Sequence, residues 1–149
     1  MRLRCLKHFF WLTLCVSTTF TARATAAYDN VAIETSSTSI YIGKVTLTVV
    51  PLTRQNGVFS SDYKAKVFPY FFMSEHGTFR MNVSDEDLAR IAKGETMDFT
   101  GEAENSDHEA RKIDLRATPS DAMHGKIKIR IFVTKKIQLI FNTTYRFGG

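Results

Sequence analysis

Apolar and polar residues alternate along most of the chain beyond residue 40. Between residues 40 and 52, Val45, Leu47 and Val49 alternate with lysine and threonine. A period of two in β-branched residues is typical of a half-buried strand. Similar segments follow with short links between them, so neighbouring strands are expected to be antiparallel. The predicted strands cover residues 40–52, 63–73, 78–83, 95–104, 110–118, 125–134 and 137–147.

This pattern predicts an all-β, mainly antiparallel fold. About seven strands without a strand–helix–strand rhythm argue against a parallel sheet. One flat sheet would not bury so many apolar faces, so we expect closure as a small sandwich or a partly open barrel. Residues 54–62 contain Asn56-Gly57 and two serines, and they are expected to form a loop.

One short helix is predicted at residues 84–93. Ser84 is a suitable N-cap, and Asp87 stands three residues later, as in a capping box. Gly94 suits the left-handed position that follows a last helical turn. The helix carries one narrow apolar stripe, so we expect it to lie as a plug or lid on the sheet.

The strand at 63–73 is the most apolar segment and the main functional candidate. Its outer face begins with Lys64 and Lys66 and continues with Phe68, Tyr70 and Phe72. We expect the aromatic part to be covered on both sides. These aromatic residues either belong to the core or line an apolar pocket inside the barrel, with the helix as lid. In the second case, the two lysines lie at the mouth and meet an anionic head group.

The first residues follow a different pattern, with a basic start, an apolar run over 9–20 and small residues at 24–26. These features predict a secretory signal peptide at 1–26, cleaved after Ala26 or Ala27. The apolar run is shorter than the ~20 residues that span a bilayer, so no transmembrane span is expected in the mature chain. We therefore expect a periplasmic or extracellular protein with a polar arm at 27–39 and one β domain at 40–149.

Removing the signal peptide changes the composition. Both cysteines, Cys5 and Cys15, lie in it, so the mature domain is expected to have neither a disulfide nor thiol chemistry. The full chain has 20 Lys and Arg against 15 Asp and Glu, and four of those bases lie in the signal. The mature chain is then nearly neutral, and its charge gives no reason to expect nucleic acid as a partner.

Charge is unevenly distributed in the mature chain. Residues 84–109 are strongly acidic and residues 110–149 are strongly basic. Hairpin pairing would place acids of one strand opposite bases of the next, which accounts for much of this division. The acids are Asp98, Glu102 and Glu104, and their expected partners are Lys112 and Arg116.

Candidate catalytic groups are few. His76 and His108 lie in predicted turns at the same end of the sheet, near carboxylates, so a shared metal is an alternative to simple solvation. Their spacing matches no metal-ligand pattern, and no serine lies in a nucleophile-elbow context. We therefore predict no catalytic residues, no cofactor and no enzymatic activity.

A basic row on one strand is the second functional candidate. Lys126, Lys128 and Arg130 share the face opposite the apolar residues. Such a row is either an ordinary solvated strand face or a contact surface for acidic glycans or lipid head groups at an envelope surface.

Three functional hypotheses follow. The first is a non-enzymatic exported binding module that holds an apolar or amphiphilic, lipid-like ligand between its sheets. The second is an envelope or surface structural protein that binds another protein through sheet edges at the arm 27–39 and at the strand ending in Phe147. The third is a hydrolase or metal enzyme, which would need His76 and His108 within ligand range of each other.

Overall fold

The computed structural model describes residues 26–148, and the predicted signal peptide lies outside these residues except for Ala26. Strands make up 63% of the structure and form a closed barrel of eight strands with one short helix. The predicted all-β antiparallel fold is therefore confirmed, with the closed barrel as its form.

The elements are bounded as follows. The strands are β1 Asn30–Ile33, β2 Ser36–Ile40, β3 Gly43–Val49, β4 Leu52–Gln55, β5 Val58–Phe68, β6 Glu75–Asn82, β7 Met97–Asn105, β8 Ala110–Pro119, β9 His124–Phe132 and β10 Gln138–Phe147. The helix is α1 Asp85–Ala92, and a one-turn 3₁₀ helix occupies Phe71–Met73.

The barrel runs up and down in chain order. β1 and β2 lie end to end and together form one of the eight strands of the barrel. β3 and β4 together form the next, because β1 pairs with β4 and β2 pairs with β3. β5 to β10 complete the circle as antiparallel neighbours. β10 pairs with β1, with Phe147 opposite Val31, and closes it.

The predicted polar arm and the predicted loop both belong to this wall. Residues 27–39 contain β1 and most of β2, so the predicted arm is part of the barrel. The predicted loop at 54–62 is wrong, because a two-residue turn at Asn56-Gly57 joins β4 to β5. Both turn residues have positive φ, 51° and 80°, which is the conformation that a tight hairpin of this kind requires.

The barrel interior is filled by the apolar face of each strand. The inward residues predicted from alternation are buried, among them Val45, Ala65, Ile113 and Ile129. Phe141, at the centre of β10, is fully buried. An eight-stranded barrel can either be filled by its side chains or hold one small ligand, and the interior here is a packed core.

The helix closes one end of the barrel, here called the helix end, which also holds the turns at 56–57 and 120–123. Ser84 and Asp87 form the complete predicted capping box, and Gly94 has a φ of 87°. Leu88 and Ile91 are buried against the core. The opposite end, here called the loop end, holds the connections at 41–42, 69–74, 106–109 and 133–137.

The charged strands pair largely as expected. Asp98 faces Arg116 in register and accepts two hydrogen bonds from it, at 2.7 and 2.9 Å. Glu102 faces Lys112, although the lysine Nζ lies closest to Asp114, at 3.1 Å. Such solvated pairs serve register and solubility more than stability.

Candidate functional site

Exposed apolar side chains are concentrated at the loop end. Of the ten large hydrophobic side chains that are exposed in residues 26–148, nine lie in or next to loop-end connections. The exception is Val50, between β3 and β4. A scattered exposed apolar residue needs no explanation, but a contiguous group marks a binding surface. The nine, here called the apolar rim, are Tyr41, Ile42, Phe68, Tyr70, Phe71, Phe72, Met73, Ile137 and Ile140.

The β5–β6 connection contributes four of the nine rim side chains, and hydrogen bonds hold its backbone. The peptide N–H groups of Met73 and Ser74 donate to the carbonyls of Tyr70 and Phe71 and form the 3₁₀ turn. The Ser74 hydroxyl accepts from the Val67 N–H at 3.0 Å and ties the turn back to β5. The aromatic rings are therefore held outward by backbone structure.

The rings also contact one another. Phe68 packs edge-to-face on Phe71, with ring centroids 5.7 Å apart, and Tyr70 packs similarly on Phe72, at 5.9 Å. Edge-to-face pairs at this spacing are favourable. The rim thus presents paired rings to solvent, without any further layer of protein over them.

The aromatic residues therefore do not occupy either of the positions expected from the sequence. Phe68, Tyr70 and Phe72 are 61%, 37% and 84% exposed, so they neither fill the core nor line the interior. Alternation along β5 places Phe68 on the outer face with Lys64 and Lys66. β5 continues three residues beyond its pairing with β6, which ends at Ala65, and remains paired with β3 as far as Phe68.

Lysines accompany the rim. They are exposed, and none has an acidic partner within 4.0 Å among the ion pairs of the described part of the chain. Lys44 stands directly across from Phe68 in the β3–β5 ladder, and Lys66 is two residues before it. The five rim lysines are Lys44, Lys64, Lys66, Lys135 and Lys136.

The fourth loop-end connection differs from the other three. Residues 106–109, between β7 and β8, carry the exposed Asp107 and Glu109 and no apolar side chain. Around the barrel, the connections at 133–137, 41–42 and 69–74 follow one another, and the acidic connection completes the circle. The apolar and basic residues thus occupy one continuous side of the loop end.

A polar cluster lies between the rim and the core. Arg111 donates to Glu75 at 2.9 and 3.3 Å and to the Val133 carbonyl at 3.0 Å, while the Tyr63 hydroxyl donates to Glu75 at 3.3 Å. Burial, and then the charge and hydrogen bond of Glu75, raise the pKa of Tyr63 to about 12. The hydrogen bond to Glu75 also raises the pKa of Arg111. The cluster is a fixed polar boundary at this end of the core.

The remaining interior space is too small for a lipid-like ligand. Two apolar cavities of about 40 and 30 Å³ lie in the loop-end and helix-end halves of the barrel. For comparison, an engineered apolar cavity that binds benzene, a far smaller molecule than a lipid, has a volume of about 150 Å³. In this conformation, an amphiphile therefore has the outer surface available to it and not the interior.

The two histidines border one shallow groove. His108 Nδ1 lies 2.7 Å from Glu104 Oε1, and His76 lines the same groove from β6. Within residues 26–148, no three His, Cys, Asp or Glu side chains are grouped closely enough to hold a metal ion. The metal hypothesis gains no support from this geometry.

The basic row lies on the outer face of β9, and both acidic and basic side chains of β8 lie beside it. Lys126 and Lys128 are exposed, and Arg130 is half-buried. Arg130 faces Asp114 in the β8–β9 ladder, and Lys128 faces Arg116, which is itself held by Asp98. This mixture of charges is weaker as an anion-binding surface than the rim lysines, which lack nearby acids.

The sheet edges proposed for protein binding are paired at β1 and at the end of β10, whereas β2 has a backbone ladder with β3 alone. β1 is paired on both sides, by β4 and β10, and the last residues of β10 are paired with β1. β2 and the residues just before it are joined to the middle of β10 by side-chain hydrogen bonds. Ser36 donates to the Asn142 carbonyl at 3.0 Å, and Thr143 donates to the Glu34 carbonyl at 2.8 Å.

Sequence reasoning missed part of the rim. Tyr41 and Ile42 occupy a tight turn, where polar residues and glycine are usual, and this apolar pair was an available signal. Ile137 follows Lys135 and Lys136 at another turn and gave a similar signal. Their meeting at one end depends on barrel closure, which local patterns do not specify.

Comparison with protein families, curated proteins and solved structures finds no significant match to this chain. Within residues 26–148, none of the helical segments has both the length and the apolar character needed to cross a bilayer.

Proposed function

We propose that this protein is an exported, non-enzymatic binding module for an apolar or amphiphilic ligand, which it binds at the loop end of its barrel. The observation that carries the proposal is the grouping of nine exposed apolar side chains, seven on three neighbouring loop-end connections and two, Phe68 and Ile140, within three residues of them. Exposed groups of this kind are rare on soluble proteins unless they bind something.

The chemistry of the rim favours an amphiphile over a purely apolar molecule. Aromatic rings supply apolar contact area, and the adjoining Lys44 and Lys66 supply positive charge for an anionic head group. The packed interior argues for binding on the outside. The proposed ligand class is thus the one expected from the sequence, but the proposed binding site is the rim and not the barrel interior.

The proposal is tested by calorimetric titration of the exported, processed protein with a soluble anionic amphiphile below its micelle concentration. We expect saturable binding that is lost in the double variant Phe71→Ser/Phe72→Ser. Both side chains are largely exposed, at 64% and 84%, so the variant should fold normally.

Val50→Ser is the matched control, because Val50 is exposed and apolar but lies outside the rim. The control variant should bind as the parent protein does. Absence of binding by the parent protein, or equal binding by all three proteins, would overturn the proposal.

A further inference from the structure

The apolar rim and its lysines share one side of the loop end, and this arrangement fits a flat partner better than a single small molecule. We infer that the partner of the rim is the surface of an anionic lipid bilayer, on which the barrel docks with its loop end. The inference rests on the proposed function and names the ligand as lipid assembled in a membrane.

The first observation is the shape of the rim. The connections at 41–42, 69–74 and 133–137 project from one end of the barrel, and the most exposed rings, Tyr41 and Phe72, belong to two of them. No groove encloses these side chains. A set of apolar tips without enclosing walls can enter the boundary between head groups and acyl chains, where aromatic rings are favoured.

The second observation is where the charge lies. Lys44, Lys64 and Lys66 are on the outer wall just behind the aromatic tips, while Lys135 and Lys136 are in the connection that carries Ile137. Tips that insert to the depth of the acyl boundary would bring these ammonium groups to the level of the lipid phosphates. Long lysine side chains adapt readily to such an interface.

The third observation is the lack of competing acids on this side. Glu75 is engaged by Arg111, and the exposed Asp107 and Glu109 lie on the connection outside the apolar side of the loop end. Asp62 is the one exposed acid on the outer face of β5, and it lies two residues before Lys64, farther from the loop end. Approach to an anionic surface with residues 106–109 tilted away therefore meets the rim lysines first. This complementarity commits the rim to an anionic bilayer over a neutral one.

The test is co-sedimentation of the exported, processed protein with phosphatidylcholine vesicles prepared with and without phosphatidylglycerol. We expect binding to the anionic vesicles and little binding to the neutral ones. Each lysine near an anionic surface contributes roughly fivefold in affinity, so Lys64→Glu/Lys66→Glu should weaken binding at least about twentyfold.

Lys126→Glu/Lys128→Glu is the matched control. It makes the same change of charge at the same spacing on another outer strand face, away from the rim. This variant should lose far less affinity than the rim variant. Equal losses in the two variants would assign the binding to overall charge or to the basic row and would contradict the inference.

A fluorescence readout locates the contact. The only tryptophan in the sequence, Trp11, lies in the predicted signal peptide, so the processed protein has no tryptophan emission of its own. Emission from Phe72→Trp should shift to shorter wavelength when anionic vesicles are added, and emission from Val50→Trp should not. A shift at both positions, or at Val50→Trp alone, would overturn the docking geometry.

The results also separate the inference from the function on which it rests. Binding of the soluble amphiphile without binding to vesicles would disprove bilayer docking and leave the proposed function standing. Failure to bind either would disprove both. If the parent protein does not bind vesicles but self-associates through the rim, the partner of the rim is a second copy of the chain, and the inference is contradicted.

Discussion

The two ends of the barrel differ in whether their apolar side chains are buried or exposed. At the helix end, Leu88 and Ile91 are buried, and Arg54 holds the helix start by donating to the Val83 carbonyl at 2.9 and 3.1 Å and pairing with Asp85 at 2.7 Å. At the loop end, nine large apolar side chains remain in solvent above a polar cluster.

This difference distinguishes the apolar residues that stabilise the fold from those that do not. The helix end shows that the chain covers an open barrel end when stability requires it, with a capped amphipathic helix. The loop end has its own boundary in Tyr63, Glu75 and Arg111, so the rim is not needed to seal the core. Side chains that fold stability does not require are the best candidates for function.

The largest expected effect is on stability at the helix end. Leu88→Ala should lower the free energy of unfolding by about 2–5 kcal/mol, because it removes buried methyl groups and leaves a cavity. Denaturant unfolding measures the change. A loss below about 0.5 kcal/mol, as for an ordinary surface position, would mean that the helix is not part of the core.

The polar cluster should respond next. Glu75→Gln removes the carboxylate that both Arg111 and Tyr63 contact, and because the pair is partly solvated we expect a loss of about 1–2 kcal/mol. The pKa of Tyr63 should fall below about 12 yet stay above its ordinary value of 10.0, because burial is the largest cause of its rise.

Phenolate absorbance during an alkaline titration measures this pKa, and the Tyr63→Phe variant identifies the signal. Since the folded-state pKa is raised, the stabilisation by the Tyr63 hydroxyl is complete below pH 10.0 and is lost as pH rises towards about 12. An unchanged pKa in Glu75→Gln would show that Glu75 does not contact the tyrosine in solution.

The helix cap should have a smaller effect with a defined pH dependence. Ser84→Ala should cost about 1 kcal/mol. Hydrogen bonds from the Ser84 side chain and backbone lower the pKa of Asp87 below 3.8, so the stabilisation is present above that pH and is lost as the pH falls through the lowered pKa. The difference between the parent protein and the variant should therefore narrow in acid to the part that comes from the Asp87 N–H donating to Ser84 Oγ, and a difference that does not change with pH would contradict this origin.

The smallest expected effect is at the rim. Phe72→Ser should change the free energy of unfolding by no more than about 0.5 kcal/mol, because the side chain is 84% exposed. Denaturant unfolding of this variant and of Leu88→Ala under the same conditions compares the contributions of the two ends to the free energy of unfolding. A loss of several kcal/mol would make the rim a structural element and remove the contrast.

Local patterns specified most of the fold. Alternation identified the inward residues of β3 and β7 to β10, and the capping box and Gly94 located α1 because these signals depend only on neighbouring residues. Barrel closure was not specified, because the polar β1 and β2 become strands only through pairing with β10 and β3.

The candidate site was only partly predictable for the same reason. Phe68, Tyr70 and Phe72 were singled out from their sequence, but their exposure follows from the outward position of Phe68 on the barrel wall and from the end of β5 at that residue. Tyr41 and Ile137 join them only because the barrel brings their connections to one end. An aromatic stretch in a sequence does not by itself distinguish core from surface.

The central claim is that the loop end binds and the helix end stabilises. Backbone amide NMR of the exported, processed protein during titration with a soluble anionic amphiphile tests it most directly. We expect shifts confined to residues 41–44, 64–74 and 135–140, with residues 85–92 unmoved. Shifts centred on the helix end or spread through the buried residues of the barrel would contradict it.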